Sequence, residues 1–162
     1  MLSKSFTLIE TAVAIFVLTV GILTVSSLIS YLLSISSIAS QKLIASYLAL
    51  EGIEIVRNIR DSNLLNDDRN WDDGLNDGYW QGDYNDSSLT SYNDSFLKLE
   101  SDGFYGYGEG IQTPFKRKIH IEQITDQDGK KIGIKVVVEV SWKERGRTHS
   151  VKAQENLYNW QQ

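Results

Sequence analysis

The sequence has no cysteine, one proline and two histidines among 162 residues. Without cysteine there is no disulfide framework, no thiolate metal site and no cysteine nucleophile. His120 and His149 are too few for a multi-histidine metal centre. A net charge of −5 argues against nucleic-acid binding by the chain as a whole. No Walker-type phosphate loop and no G-x-S-x-G elbow is present. Proline is missing from the apolar N-terminal stretch and from residues 40–62, so nothing there interrupts a long helix.

The residues that are present are unevenly placed. The hydrophobic share of 41% is ordinary, and the length suits one domain. Yet residues 6–38 hold 21 apolar side chains in 33 positions, whereas residues 39–162 hold 44 in 124. Charge is segregated as well, at +1 over residues 1–60, −10 over 61–109 and +4 over 110–162.

From Thr11 to Gln41 there are 31 consecutive uncharged residues. About 20 apolar residues cross a bilayer as a helix, and the run Ala12–Val25 forms the centre of such a segment. Lys4 on the short side predicts a cytoplasmic N-terminus, with the bulk of the chain outside. Beyond residue 40, Ala45, Leu48, Ala49, Gly52, Ile55, Val56 and Ile59 recur at helical spacing on one face. Arg57 and Asp61, four apart, are placed to pair. The pattern predicts one helix over about 6–62, roughly 85 Å long. Its segment 6–40 would lie in the membrane and its segment 41–62 would be amphipathic.

Residues 63–110 are crowded with Asp, Asn and Gly, which favour turns. They read as an acidic, aromatic-rich loop region with one short helix near Ser95–Leu99. Clustered carboxylates suit hard cations, and Asp72, Asp73 and Asp77 are the candidates, with Asp67, Asp68 and Asp83 nearby. The EF-hand spacing is not met, so a solvated loop is the stronger expectation. Trp71, Trp80 and Tyr84 beside these acids form a candidate adhesive patch.

Residues 111–162 read as a three-stranded antiparallel sheet, over about 115–125, 131–142 and 147–158. Ile132, Ile134, Val136, Val138, Val140 and Trp142 occupy every second position, the mark of a half-buried strand. Such a sheet needs a cover, and the Ala45–Ile59 stripe supplies one. The expected fold class is therefore α+β. Lys116-Arg117-Lys118 and Lys130-Lys131 read as a polar strand face and a turn, and no contact with DNA is expected. No carboxylate pair has acid–base spacing, so neither an enzyme, nor a cofactor, nor a small-molecule substrate is expected.

Lys4-Ser5-Phe6-Thr7-Leu8-Ile9-Glu10, running straight into the apolar segment, resembles the N-terminal signal of type IV pilins and type II secretion pseudopilins. The resemblance implies a pilin-like fold, a leader at residues 1–5 and cleavage between Ser5 and Phe6 by a prepilin peptidase. It also implies N-methylation of Phe6. The mature subunit would wait in the inner membrane, meet an assembly platform and other pilin subunits, and enter a surface or periplasmic filament. Phe6, Thr7 and Glu10 would serve subunit assembly. Ser5 stands where the family usually has glycine, and the mid-helix proline of many major pilins is missing. Both the helix end at Leu50–Asp61 and the closing segment Asn156–Trp160 look like those of minor pilins. Apart from the resemblance, a charge in a membrane helix is costly and usually functional, which singles out Glu10. The alternative is a ligand-binding or sensor domain held outside the membrane by an uncleaved signal anchor.

Overall fold

The structure, a computed structural model, describes residues 7–160. Among these residues one helix, α1 (Leu8–Leu64), precedes eight strands. They are β1 (Gly78–Gln81), β2 (Thr90–Ser91), β3 (Lys98–Glu100), β4 (Tyr105–Gly106), β5 (Gly110–Gln112), β6 (Lys116–Thr125), β7 (Lys131–Glu144) and β8 (Arg147–Tyr158). The class is α+β, as the sequence pattern predicts. The chain divides into two units at Ser40 and Gln41.

The first unit is the N-terminal part of α1. Its apolar side chains are exposed all round, Leu18 and Leu33 among them. Thr19, Thr24 and Ser30 donate their hydroxyls to the carbonyls of Ile15, Val20 and Ser26 at 2.7, 2.8 and 3.0 Å. These polar groups are thus satisfied within the helix, a condition that lipid imposes.

In the second unit, residues 41–64 of α1 cover a sheet. Every residue of the predicted stripe is buried, and Ile53 joins it. The stripe packs on Ile119 and Ile121 of β6 and on Ile134, Val136, Val138 and Val140 of β7, all fully buried. Each such side chain contributes roughly 1.5–3 kcal/mol, against about 0–1 kcal/mol for an exposed ion pair. Apolar burial therefore holds helix to sheet. Gly52 sits at the closest approach, where a Cβ would meet Val138 Cγ1 at 2.7 Å and Arg117 Cδ at 3.2 Å. A side chain there would have to displace its neighbours.

The predicted meander β6-β7-β8 forms most of a larger sheet of order β2-β1-β6-β7-β8, antiparallel throughout. Arg145 and Gly146, at φ 49° and 77°, turn β7 into β8, the left-handed pair that a two-residue hairpin loop requires. A second sheet, β4-β3-β5, was hidden in the acidic region. No helix forms at Ser95–Leu99. Instead Leu97, fully buried, exchanges backbone bonds with Phe115 and Thr113 at 2.8 and 2.9 Å, and β3 follows it. Burial of Leu97 beside Phe115 outweighs a weak local helical preference.

Candidate functional site

The residues singled out by the sequence lie in two places: the apolar start of α1 and the region of residues 41–160. Ser5 and Phe6, the expected cleavage and methylation positions, lie outside the described residues. Thr7 caps α1. Its carbonyl accepts from Thr11 N at 3.1 Å and its Oγ1 accepts from Glu10 N at 3.3 Å. The spacing Thr7-x-x-Glu10 is that of a capping box, and an acidic residue in the first turn complements the helix dipole. These two residues therefore start the helix whatever else they do. Glu10 is exposed, and among the described residues its carboxylate has no ion-pair partner. Among those residues, α1 is the one helix long and apolar enough to cross a membrane.

The three cation candidates do not converge. Asp72 Oδ2 takes Lys131 Nζ at 3.1 Å, Asp73 Oδ2 accepts from Asn70 N at 3.0 Å, and Asp77 Oδ1 accepts from Gln123 N at 2.6 Å. Each carboxylate is engaged by the chain itself. Among the described residues no group of three or more His, Asp or Glu is placed to hold a metal ion. The expected adhesive aromatics are also split. Trp71 and Trp80 pack against the core, with Trp80 Nε1 donating to Asn76 O at 2.9 Å. Tyr84 stays exposed and stacks on Phe104 at 4.5 Å.

The basic triplet behaves differently from its reading as a polar strand face. Lys116 and Lys118 face outward, but Arg117 is fully buried on the inner face of β6. It donates to Glu51 Oε1 at 3.0 Å and to Gly82 O at 2.7 Å, tying α1 and the end of β1 to the sheet. Strand alternation, Arg117 in phase with Ile119 and Ile121, is the sequence signal for this burial. Arg57 pairs with Glu54 and grips Glu155 of β8 at 2.6 and 2.7 Å, not Asp61. Its pKa is raised, first by that hydrogen bond with Glu155. Asp61 pairs with Arg60, its neighbour in sequence. Buried Asn63 holds the turn after α1 by donating to Asp73 O at 2.8 Å.

Both histidines stack on aromatic rings. His120 lies on Tyr79 at 4.6 Å and His149 lies on Trp142 at 5.4 Å. On the outer face of the sheet, Glu139 receives Lys118 and Lys152 at 3.2 and 3.5 Å. Burial pushes the Glu139 carboxyl up, but Lys118 and then Lys152 outweigh it, and the net shift is downward. Near the second sheet, burial pushes the Asp83 carboxyl up against the pull of the Tyr107 N–H.

The fold and the apolar segment define a class: an α+β head packed under the distal half of a helix whose N-terminal part has membrane-spanning length and composition. No protein-family profile, curated protein or solved structure matches the chain.

Proposed function

We propose that the chain is a minor pilin or pseudopilin, a non-enzymatic subunit of a type IV pilus or type II secretion-like filament. The observation that carries this reading is the Phe6-Thr7-Leu8-Ile9-Glu10 motif set at the start of a long apolar helix. In support, the same helix continues into an amphipathic stripe that packs on an antiparallel sheet. The leader is removed before Phe6 by a prepilin peptidase, and the new amine is methylated. The subunit then waits in the inner membrane with its head outside and joins the filament through α1. Glu10 has no partner within the described chain, so a neighbour's terminal amine in the same low-dielectric layer offsets the cost of its charge. Because such a pair forms at one axial offset, it sets subunit register.

Intact-mass analysis of the protein from its native host tests the processing step. A mature start at N-methyl-Phe6 is expected, and retention of residues 1–5 would overturn the reading in favour of a signal-anchored domain. Glu10→Ala is expected to insert in the membrane normally but to fail to enter filaments. Normal incorporation of that variant would remove the role given to Glu10.

A further inference from the structure

The outer face of the five-stranded sheet, opposite the one that α1 covers, repeats one arrangement twice. In the first, Lys118 of β6 and Lys152 of β8 close on Glu139 of the strand between them. Lys118 Nζ also lies 5.4 Å from the centroid of the Tyr79 ring, which is more than half exposed. These four side chains line a concavity of about 150 Å³. In the second, Lys116 lies 4.6 Å over the Phe96 ring and pairs with Asp94. Together with Lys143 and the hydroxyl-bearing Ser141 and Thr148, they line a cleft of about 300 Å³. Lys116 and Lys118 are two residues apart on one strand, so the clefts are offset by roughly 7 Å.

Each cleft therefore joins an ammonium group, an aromatic ring and a carboxylate. Four lysines stand against two carboxylates, so this strip is positive in a chain of net charge −5. Among the described residues Lys143 has no ion-pair partner. The lysines select for an anion. Asp94 and Glu139 disfavour closely spaced phosphates. Asp94 already accepts from the Tyr92 hydroxyl at 2.7 Å and from Lys116, and Glu139 from two lysines. A carboxylate has about four acceptor sites, however, and those left over take hydroxyl groups. Tyr79 is stacked on His120 at 4.6 Å, and the part of its ring left exposed, like that of Phe96, offers a flat apolar surface with a polar edge. An anion rich in hydroxyls and carrying flat apolar ring faces satisfies all three groups. A DNA strand, the other polymer that basic and aromatic sheet faces take, supplies few hydroxyl donors.

We propose that this face binds an acidic polysaccharide. Sugar carboxylates meet the lysines, hydroxyls meet Asp94 and Glu139, and the rings lie against Tyr79 and Phe96. Such binding does not depend on the apolar helix segment.

The test is calorimetric titration of the full chain in detergent micelles with trigalacturonate, with neutral galactotriose and with hexathymidylate. Trigalacturonate is expected to bind about 10-fold more tightly than the neutral trimer, a gap of about 1.4 kcal/mol, and to weaken with salt. Lys118→Gln and Lys152→Gln are each expected to weaken it about 3- to 5-fold, and Tyr79→Ala to weaken it further. Shift perturbations in the unaltered protein are expected on the outward residues of β6, β7 and β8, a readout that needs no variant to fold. Equal binding of the neutral trimer, no binding of trigalacturonate, or indifference to both lysine changes would each overturn the proposal. Tighter binding of hexathymidylate would overturn it in favour of nucleic acid.

Discussion

Arg117 offers the sharpest test of what seats the helix on the sheet. Its side chain is fully buried and its partner Glu51 is 31% exposed. Arg117→Ala removes the donors to Glu51 and Gly82 O and leaves a void under Gly52, whose ideal Cβ lies 3.2 Å from Arg117 Cδ. Breaking a buried pair costs about 3–5 kcal/mol. Because Glu51 regains some water, a loss near the lower end, about 3 kcal/mol, is expected. Arg117→Met keeps most of the volume and removes a charge whose Nε already lacks a partner. What remains is the unmatched Gly82 carbonyl and an unpaired but partly hydrated Glu51, with no void beneath Gly52, so a smaller loss of about 1 kcal/mol is expected. Urea unfolding of the full chain in micelles, followed by tryptophan fluorescence, separates the two. With a slope of about 2 kcal/mol/M, the alanine variant should move the midpoint by roughly 1.5 M and the methionine variant by roughly 0.5 M. A loss below about 1 kcal/mol for Arg117→Ala, or equal losses for both variants, would refute the argument. The first result would mean the guanidinium is dispensable. The second would mean that its charge, and not its volume, dominates.

Two other measurements follow from the same packing and from the outer face. Gly52→Ala pits about 1 kcal/mol of gained helix propensity against roughly 1–3 kcal/mol of overpacking on Val138. A net loss near 1 kcal/mol is expected, and adding Val138→Ala should cost less than the sum of the two single changes, measured by the same urea titration. A neutral or stabilising Gly52→Ala would show that the approach is looser than 2.7 Å implies. The folded pKa of Glu139 is lowered from 4.5, with Lys118 and Lys152 outweighing burial. Its stabilising contribution is therefore full above that unfolded value and lost as pH falls through the folded one. Glu139→Gln should lower stability at pH 7, and the gap to the unaltered protein should close as pH drops below 4.5. A gap that stays constant with pH would rule out this assignment.

Patterns of period two and 3.6 made α1, β6, β7 and β8 legible, because each is long and buries one face over many residues. The observed helix, Leu8–Leu64, differs from the expected 6–62 by two residues at its end, within the usual fraying of boundaries. Arg117 was misread because a run of three basic residues masks the alternation that buries its middle member. Its partner Glu51 is distant in sequence, so charge pattern alone could not pair them. β1 was missed for another reason. It is four residues long, set among Asp, Asn and Gly, and its Trp80 pairs with Ile119 of β6. Only that distant partner makes it a strand. At the N-terminus, the resemblance assigns Thr7 and Glu10 to assembly, while their local geometry also starts the helix.

The acidity of residues 61–109 has a structural source that composition alone does not reveal. Where strands are short, backbone donors lack ladder partners, and a nearby side chain can take their place. Carboxylates supply the acceptors. Asp83 accepts from Tyr107 N at 3.0 Å, Glu100 from Gly108 N at 3.0 Å, Asp86 from Asp83 N at 2.8 Å and Asp102 from Phe104 N at 3.0 Å. Asp77 does the same for Gln123 N of β6. The same residue types that favour turns thus serve as local acceptors in place of a ladder. The glycines belong to this device. A Cβ at Gly106 would lie 2.3 Å from Glu100 Oε1, so only glycine lets that carboxylate lie against the backbone. Carboxylates that accept from nearby backbone donors are not arranged around a cation, and Asp73 and Asp77 are engaged in this way. The −10 segment is therefore a means of building an irregular domain edge, and binding by anion-selective chemistry falls to the lysine-bearing face of the sheet.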